Sequence, residues 1–495
     1  MKRNLILLCT LLCTSMATHA VQVWDGTSAE IWTKGAGTES DPYLIETPAN
    51  LKYLANQVNA GNSYADTYFL QTEDLDLNSK SCSMDKTFSG NYDGGNHQIL
   101  NVRSFLFYTI QSATIQNLTI AGNITCPLVY QVNGNATLVN CHNKSTAEIT
   151  NGGAGLIYQA QSGRVTLTKC SNSATIKSSF KDTNIPGYYP YYYSGGLVCR
   201  ADTVIMRNCN NSGTVSHGDI SRSSSSYPPI VYVGGLLGWA TYIDISHCFN
   251  TGDIYYTPDN GGTTLNSVSV DSRTAGIAMA KGGTIKQSYS HSGSSYRGNK
   301  NIKYGISNLT CSGCYATNAK PGGDTYAILF NYATIVYYVN SSAIYYEGET
   351  PIRINNTSGT TIDVSGSKTA TELKSPSFLS ILNADGDYFC PDYTSINNGY
   401  PILRWQLGDT PFYTIRGICK AEQGTVSGTG EYPQGAQVKL TATPKDNYTF
   451  VGWSDGNTNN PRTISVDTLD ATYVAQFDRL SYTVYVNQDC SITVE

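Results

Sequence analysis

The cysteines, histidines and carboxylates of this chain could do chemistry, yet their spacing says more about repetition than about catalysis. Cys141, Cys170, Cys209 and Cys248 each stand two residues before an asparagine: Asn143, Asn172, Asn211 and Asn250. Thiols recurring at one phase could oxidise in pairs. Inward side chains on parallel neighbours keep their Cβ atoms slightly too far apart, so free thiols are expected. Cys311-Ser312-Gly313-Cys314 is a lone C-x-x-C. It lacks a second pair for zinc and a βαβ setting for redox work, which leaves corner packing or a local disulfide. His97, His142, His217, His247 and His291 are scattered, with no His-Glu-x-x-His among them. Glycoside hydrolysis needs two carboxylates roughly 5–10 Å apart. Aligned repeats set Asp202 opposite Thr241, Asp244 opposite Ile205 and Asp253 opposite Thr214, so no acidic column forms. Asp219, Asp259 and Asp271 lie in intervening segments, and nothing in their spacing asks them to converge. No catalytic residue, metal site or cofactor is expected.

The elements that position these groups are repeats. SGGLVCRADTVIMRNCNNSGTV (194–215) and VGGLLGWATYIDISHCFNTGDI (233–254) align without a gap, 39 residues apart. AGLIYQAQSGRVTLTKCSNSATI (154–176) carries two extra residues before its Cys. AGIAMAKGGTIKQSYSHSGSSY (275–296) sets Tyr289 in the Cys place; 126–149 is an earlier copy and 304–318 a compressed later one. Within a block, Val204 and Met206, or Ile243 and Ile245, alternate with polar residues at the period of a strand, and Gly- and Asn-rich corners interrupt at a fixed phase. Blocks too small to bury an apolar face alone must stack. The expected fold is all-β: a parallel β-helix solenoid with a short N-terminal capping helix, followed by a small β-rich C-terminal module. In it the Cys set and the Asn set become structural ladders, the thiols packing inward and the amides hydrogen-bonding from coil to coil.

The GGLVC…NCNNSGTV and GGLLG…HCFNTGDI blocks resemble GLUG motifs, with Leu236, Leu237 and Gly238 fitting the core and Cys199 replacing its last Gly in the earlier copy. The resemblance implies a solenoid of the kind found in bacterial surface and secreted proteins, including adhesins and some large IgA-cleaving metallopeptidases. The metallopeptidase motif itself is not present. Segments 37–61 and 88–102 resemble the leading parts of such proteins, and 372–405 the closing part. In the first, Thr47 caps a helix begun by Pro48, with Leu51, Leu54, Ala55 and Val58 on one face and Gly61 as the stop. Such a helix would cover the open strand edges at the solenoid's end. The series Gly424, Gly428, Gly430, Tyr432, Gly435, Pro444, Phe450, Trp453, Ala475 and Phe477 resembles a divergent internalin-type B-repeat, with Trp453 in its core.

The expected division is a signal peptide at 1–20, a β-helix at 21–408, the B-repeat at 409–478, and a partial repeat or terminal strand at 479–495. Within the β-helix, the cap covers about 21–102, the coils about 103–340 and the closing segment about 341–408. The signal peptide rests on Lys2-Arg3, the run NLILLCTLLCT and a cut after Ala20. That run is too short to span a membrane. The expected location is therefore secreted or cell-surface. The chain has 32 Lys and Arg against 37 Asp and Glu, a net charge of −5 that becomes −7 once Lys2 and Arg3 are removed. That mild acidity argues against nucleic acid as a partner.

Three insertions separate the copies at one phase: 177–193, 216–232 and 255–274. They should project from one side of the solenoid, presenting Tyr188, Tyr189, Tyr191, Tyr192, Tyr193, Tyr227, Tyr232, Tyr255 and Tyr256. Tyrosine offers a rigid apolar face and a hydroxyl, suited to sugar rings and protein epitopes, and it equally well packs a loop onto a wall. The expectation is an adhesin-like protein binding a glycan or glycoprotein through these tyrosines. The alternatives are a non-catalytic stalk or spacer and, less favoured, a carbohydrate-active enzyme.

Overall fold

The computed structural model describes residues 21–178, 191–218, 230–256, 271–275, 277–294, 309–319, 329–330, 342–346, 353–355, 361–363, 365–367, 369–481, 484–486 and 492–494. The expected signal peptide at 1–20 lies outside them.

Alternation of apolar and polar residues at period two makes strands, and their recurrence stacks those strands in parallel. Twenty-six strands between Gln22 and Ser367 join in one ladder system. The 39-residue spacing is the coil register: Val198 pairs with Leu237, Val204 with Ile243 and Val215 with Ile254. Alternate residues point inward, so Val165, Val204 and Ile243 form one fully buried column and Leu167, Met206 and Ile245 another. The two extra residues before Cys170 fall in a register shift between Ala160 and Arg164.

After each of these wall strands the chain turns through a left-handed residue. Asn117, Asn140, Lys169, Asn208, His247 and Gln287 occupy successive rungs of one corner, with φ between 37° and 55°. Asparagine tolerates this region better than most side chains, which accounts for the Asn-rich corners.

The cap helix spans Pro48–Ala60. Thr47 Oγ1 accepts from the Asn50 amide and Asn50 Oδ1 accepts from the Thr47 amide, each at 3.1 Å, closing a capping box. Leu51, Leu54, Ala55 and Val58 are buried, and Gly61 ends the helix at φ 111°.

One expected register is corrected. The copy at 275–296 is one residue short in its wall strand: Leu237 pairs with Ala278, but Ala240 pairs with Ala280. Phe249 therefore pairs with Tyr289, their rings stacked at 5.1 Å and 5°. Ser288, whose Oγ accepts from the Cys248 amide at 3.1 Å, holds the Cys position. The later copy continues this frame, Cys311 pairing with Ile285 and Tyr315 with Tyr289, which puts Cys314 at the Ser288 rung.

The chain divides into two compact units between Tyr388 and Phe389, so the latter part of the expected closing segment goes with the C-terminal module. There Tyr393 packs edge-on against Tyr432 at 5.6 Å and Arg404 pairs with Glu431 at 2.6 Å. The module's core holds Leu440, Trp453, Ile464 and Phe477, with Trp453 1% exposed. Trp453 Nε1 donates to Asn459 O at 2.9 Å. The Arg462 guanidinium lies 5.6 Å from the Trp453 ring and grips Asp455 with two bonds of 2.7 Å. That pair of hydrogen bonds holds the Asp455 carboxyl below its usual range.

Candidate functional site

The two expected ladders are interior. Cys141, Cys170, Cys209 and Cys248 are free thiols with no solvent exposure. Each donates weakly to backbone carbonyls, Cys141 to Ile115 O at 3.3 Å and Cys248 to Ser246 O at 3.2 Å. Burial pushes the Cys141 and Cys209 thiols well above their ordinary range, which disfavours the reactive thiolate.

The asparagines are equally buried. Asn172 Nδ2 donates to Asn211 Oδ1 and Asn211 Nδ2 to Asn250 Oδ1, both at 2.7 Å. The same amides close each corner through Ala174 O, Gly213 O and Gly252 O. Asn143 shares the backbone register, but its amide donates to Gly155 O at 2.8 Å instead of to Asn172. The ladder also explains the Gly-Gly pair. A Cβ on Gly196 would stand 2.2 Å from Gly235 O and 2.5 Å from Asn211 Cγ.

Histidines serve the same architecture. His142 bonds Ser171 Oγ and Asn140 Oδ1, and His247 bonds Asp385 at 2.8 Å while stacking on Tyr388. His217 is 1% exposed and shares a 3.0 Å hydrogen bond with Ser194 Oγ; burial pushes its pKa down to about 3.

The insertions start and finish in register. They leave from a parallel ladder of Ile176–Ser178, Val215–His217 and Ile254–Tyr256. They return to a second, Tyr191–Gly195, Ile230–Gly234 and Asp271–Ala275. Their end points therefore align at one phase, as the sequence implied. Tyr188, Tyr189 and Tyr227 lie outside the described residues; Tyr255 and Tyr256 are placed only by backbone register.

Of the other four, Tyr191, Tyr193 and Tyr232 come together as packing, whereas Tyr192, on the opposite face of its strand, sits in the solenoid core 5.4 Å from the His217 ring. Tyr192 and Tyr232 are 7% and 3% exposed. Tyr193 stacks on Tyr232 at 5.4 Å and 9°, Tyr191 lies 6.4 Å from Tyr193, and Tyr232 meets Trp239 at 5.0 Å. In-register stacking uses the ring faces that a sugar would need. Burial also pushes the Tyr193 hydroxyl up, against the pull of Arg200, whose guanidinium lies 5.4 Å from that ring.

Sequence reasoning missed the neighbouring outward stack. Tyr108, Tyr130 and Tyr158 follow one another at 4.4 and 5.2 Å, close to parallel. Beside them Gln131, Gln159, Arg200 and Trp239 form an outward column in register. The available signal was the dipeptide Tyr-Gln at 130–131 and again at 158–159. Where the two sets meet, Tyr158, Gln159, Tyr191, Tyr193 and Arg200 help line a recess of about 30 Å³. That is room for a water or two, not for a sugar ring.

This arrangement can be set beside known proteins. A family model for the GLUG motif matches residues 231–255, and one for the divergent InlB B-repeat domain matches 417–481. The chain carries both modules. The GLUG motif spans the strand of Tyr232, the Gly234-Gly235 corner, Trp239, Cys248 and Asn250, which are the packing elements described above. Both modules are typical of bacterial surface proteins. No curated protein matches the chain in sequence. Among solved structures, one provisionally named an immunoglobulin A1 protease, from Bacteroides ovatus, is similar at 16% identity and a TM-score of 0.38, covering 76% of this chain and 95% of its own. Among the described residues no helix is long and apolar enough to cross a membrane.

Proposed function

We propose that this is an exported, non-enzymatic recognition protein of the bacterial surface that binds glycans or glycoproteins through the Tyr-rich insertions on one side of its β-helix. The observation that carries the reading is the double register of the insertions. Three segments of unlike sequence leave one parallel ladder and return to another, which gathers their feet along one edge. A rigid wall presenting variable segments suits recognition. Tyr188, Tyr189 and Tyr227 within the segments, with Tyr255 and Tyr256 at a foot, are the contacts this reading favours. Tyr191, Tyr193 and Tyr232 form a stacked footing on the return ladder, and Tyr192 is buried in the core.

A stalk or spacer is the second reading. It is favoured by the mutual stacking of the described tyrosines, which uses their faces within the protein.

The test is binding of the mature chain to arrayed glycans and glycoproteins, beside a variant with 180–190 replaced by a short Gly-Ser turn. That boundary spares the Tyr191–Gly195 strand. Selective binding lost in the variant supports recognition through this insertion. Binding by neither protein supports the spacer.

A further inference from the structure

The outward column Gln131, Gln159, Arg200, Trp239 changes character along the axis: two carboxamides, then a guanidinium, then an indole. Gln159 donates to Gln131 Oε1 at 3.3 Å, so the amides hold each other. Arg200 is the exception in its electrostatics. The other described arginines that are at least partly buried have acid partners: Arg207 with Asp244, Arg404 with Glu431 and Arg462 with Asp455. Among the described residues Arg200 has no ion pair, and Asp202, two residues along its own strand, makes none with it. Its guanidinium instead rests over Tyr193, and it lines the small recess together with Gln159 and Tyr158.

Trp239 ends the column. The register shift between Leu237 and Ala240 falls at this rung, and the Trp239 indole is half-buried against Tyr232. A planar cation with free donors, a carboxamide beside it and an indole one rung further match three parts of an acidic sugar. The guanidinium fork takes the carboxylate with two hydrogen bonds. The carboxamide takes hydroxyls, and the indole takes the C–H face of the ring. The recess, lined in part by Gln159 and Arg200, admits a group of carboxylate size and excludes a pyranose, so the acid would enter it while the ring stays outside, one rung from Trp239.

We infer that Arg200, flanked by Gln159 and Trp239, is a subsite for the carboxylate of an acidic sugar, a uronic or sialic acid residue. This deepens the glycan-recognition reading and rests on it.

The test uses the full mature chain and four probes in titration calorimetry: oligogalacturonate and its methyl ester, and sialyllactose and lactose. At least one acidic probe should bind at least about tenfold more tightly than its neutral counterpart, and the arm that does so names the source of the acid. Arg200→Gln should abolish that preference. Arg200→Lys should keep part of it, since charge remains and the fork is lost. Thermal melts of both variants verify folding, and Arg200→Lys carries the test if the glutamine variant is unstable. Equal binding of acid and neutral forms by the wild type overturns the subsite, as does an acid preference that survives Arg200→Gln within twofold. If all four probes fail while the glycan array is positive, the subsite falls and recognition stands. If the array is also blank, both fall.

Discussion

The solenoid and the C-terminal module bury polar groups by opposite means. In the solenoid an asparagine is satisfied by its own equivalent in the next coil, as Asn172, Asn211 and Asn250 show. In the module each partner is particular: Trp453 bonds Asn459 O, Asn460 bonds the Ala442 backbone, and Arg462 bonds Asp455. A rung in the solenoid is shared by neighbours on both sides. A contact in the module belongs to one pair. Damage should therefore spread along the coils and stay confined in the module.

The largest effect tests the confined case. Trp453→Ala removes the module's most voluminous fully buried side chain and should cost about 3–5 kcal/mol. Hydrogen exchange in 437–444 and 471–479 should read it out. A loss under about 1 kcal/mol would mean that Trp453 is not central to that core.

Asn211→Ala tests the shared case. It removes a middle rung and strips partners from Asn172, Asn250 and Gly213 O at once, an expected loss of about 2–3 kcal/mol. Protection should fall in the coils on both sides. Asn143→Ala is the sharper control, because that amide serves Gly155 O instead of the ladder, and about 1 kcal/mol is expected. Equal costs for the two substitutions would break the ladder argument.

Acidity reaches the solenoid through His217. His217 stays neutral in the folded chain down to about pH 3, whereas unfolded histidine takes a proton near 6.5. Its contribution is therefore complete above pH 6.5 and declines as pH falls from 6.5 towards 3. By pH 4.5 the loss is about 2–3 kcal/mol. Urea midpoints at pH 7.5 and 4.5 should show a larger fall in the wild type than in His217→Gln. Identical falls would remove His217 from the account.

How much was legible follows from the repeats. The Cys and Asn columns could be read because the blocks at 194–215 and 233–254 align without a gap. The cap helix could be read because Thr47, Pro48 and Gly61 are local signals. The slip at Tyr289 came from counting the block as gapless from its start, when the wall strand had lost a residue upstream of the corner. The outward Tyr108–Tyr130–Tyr158 stack stayed hidden because its first rung lies before any block that matches the motif. At the candidate site, the sequence located the tyrosines but not the direction of their rings. Whether a ring faces solvent or its neighbour depends on coil-to-coil spacing, which no single block contains.

The two ladders that bracket the insertions carry a further consequence. Residues 179–190, 219–229 and 257–270 differ in length and sequence, yet the chain rejoins the same register after each. The wall is therefore indifferent to its cargo. Segments at this phase can drift, lengthen or be exchanged without re-solving the fold, so the same frame could serve as a display scaffold for grafted peptides.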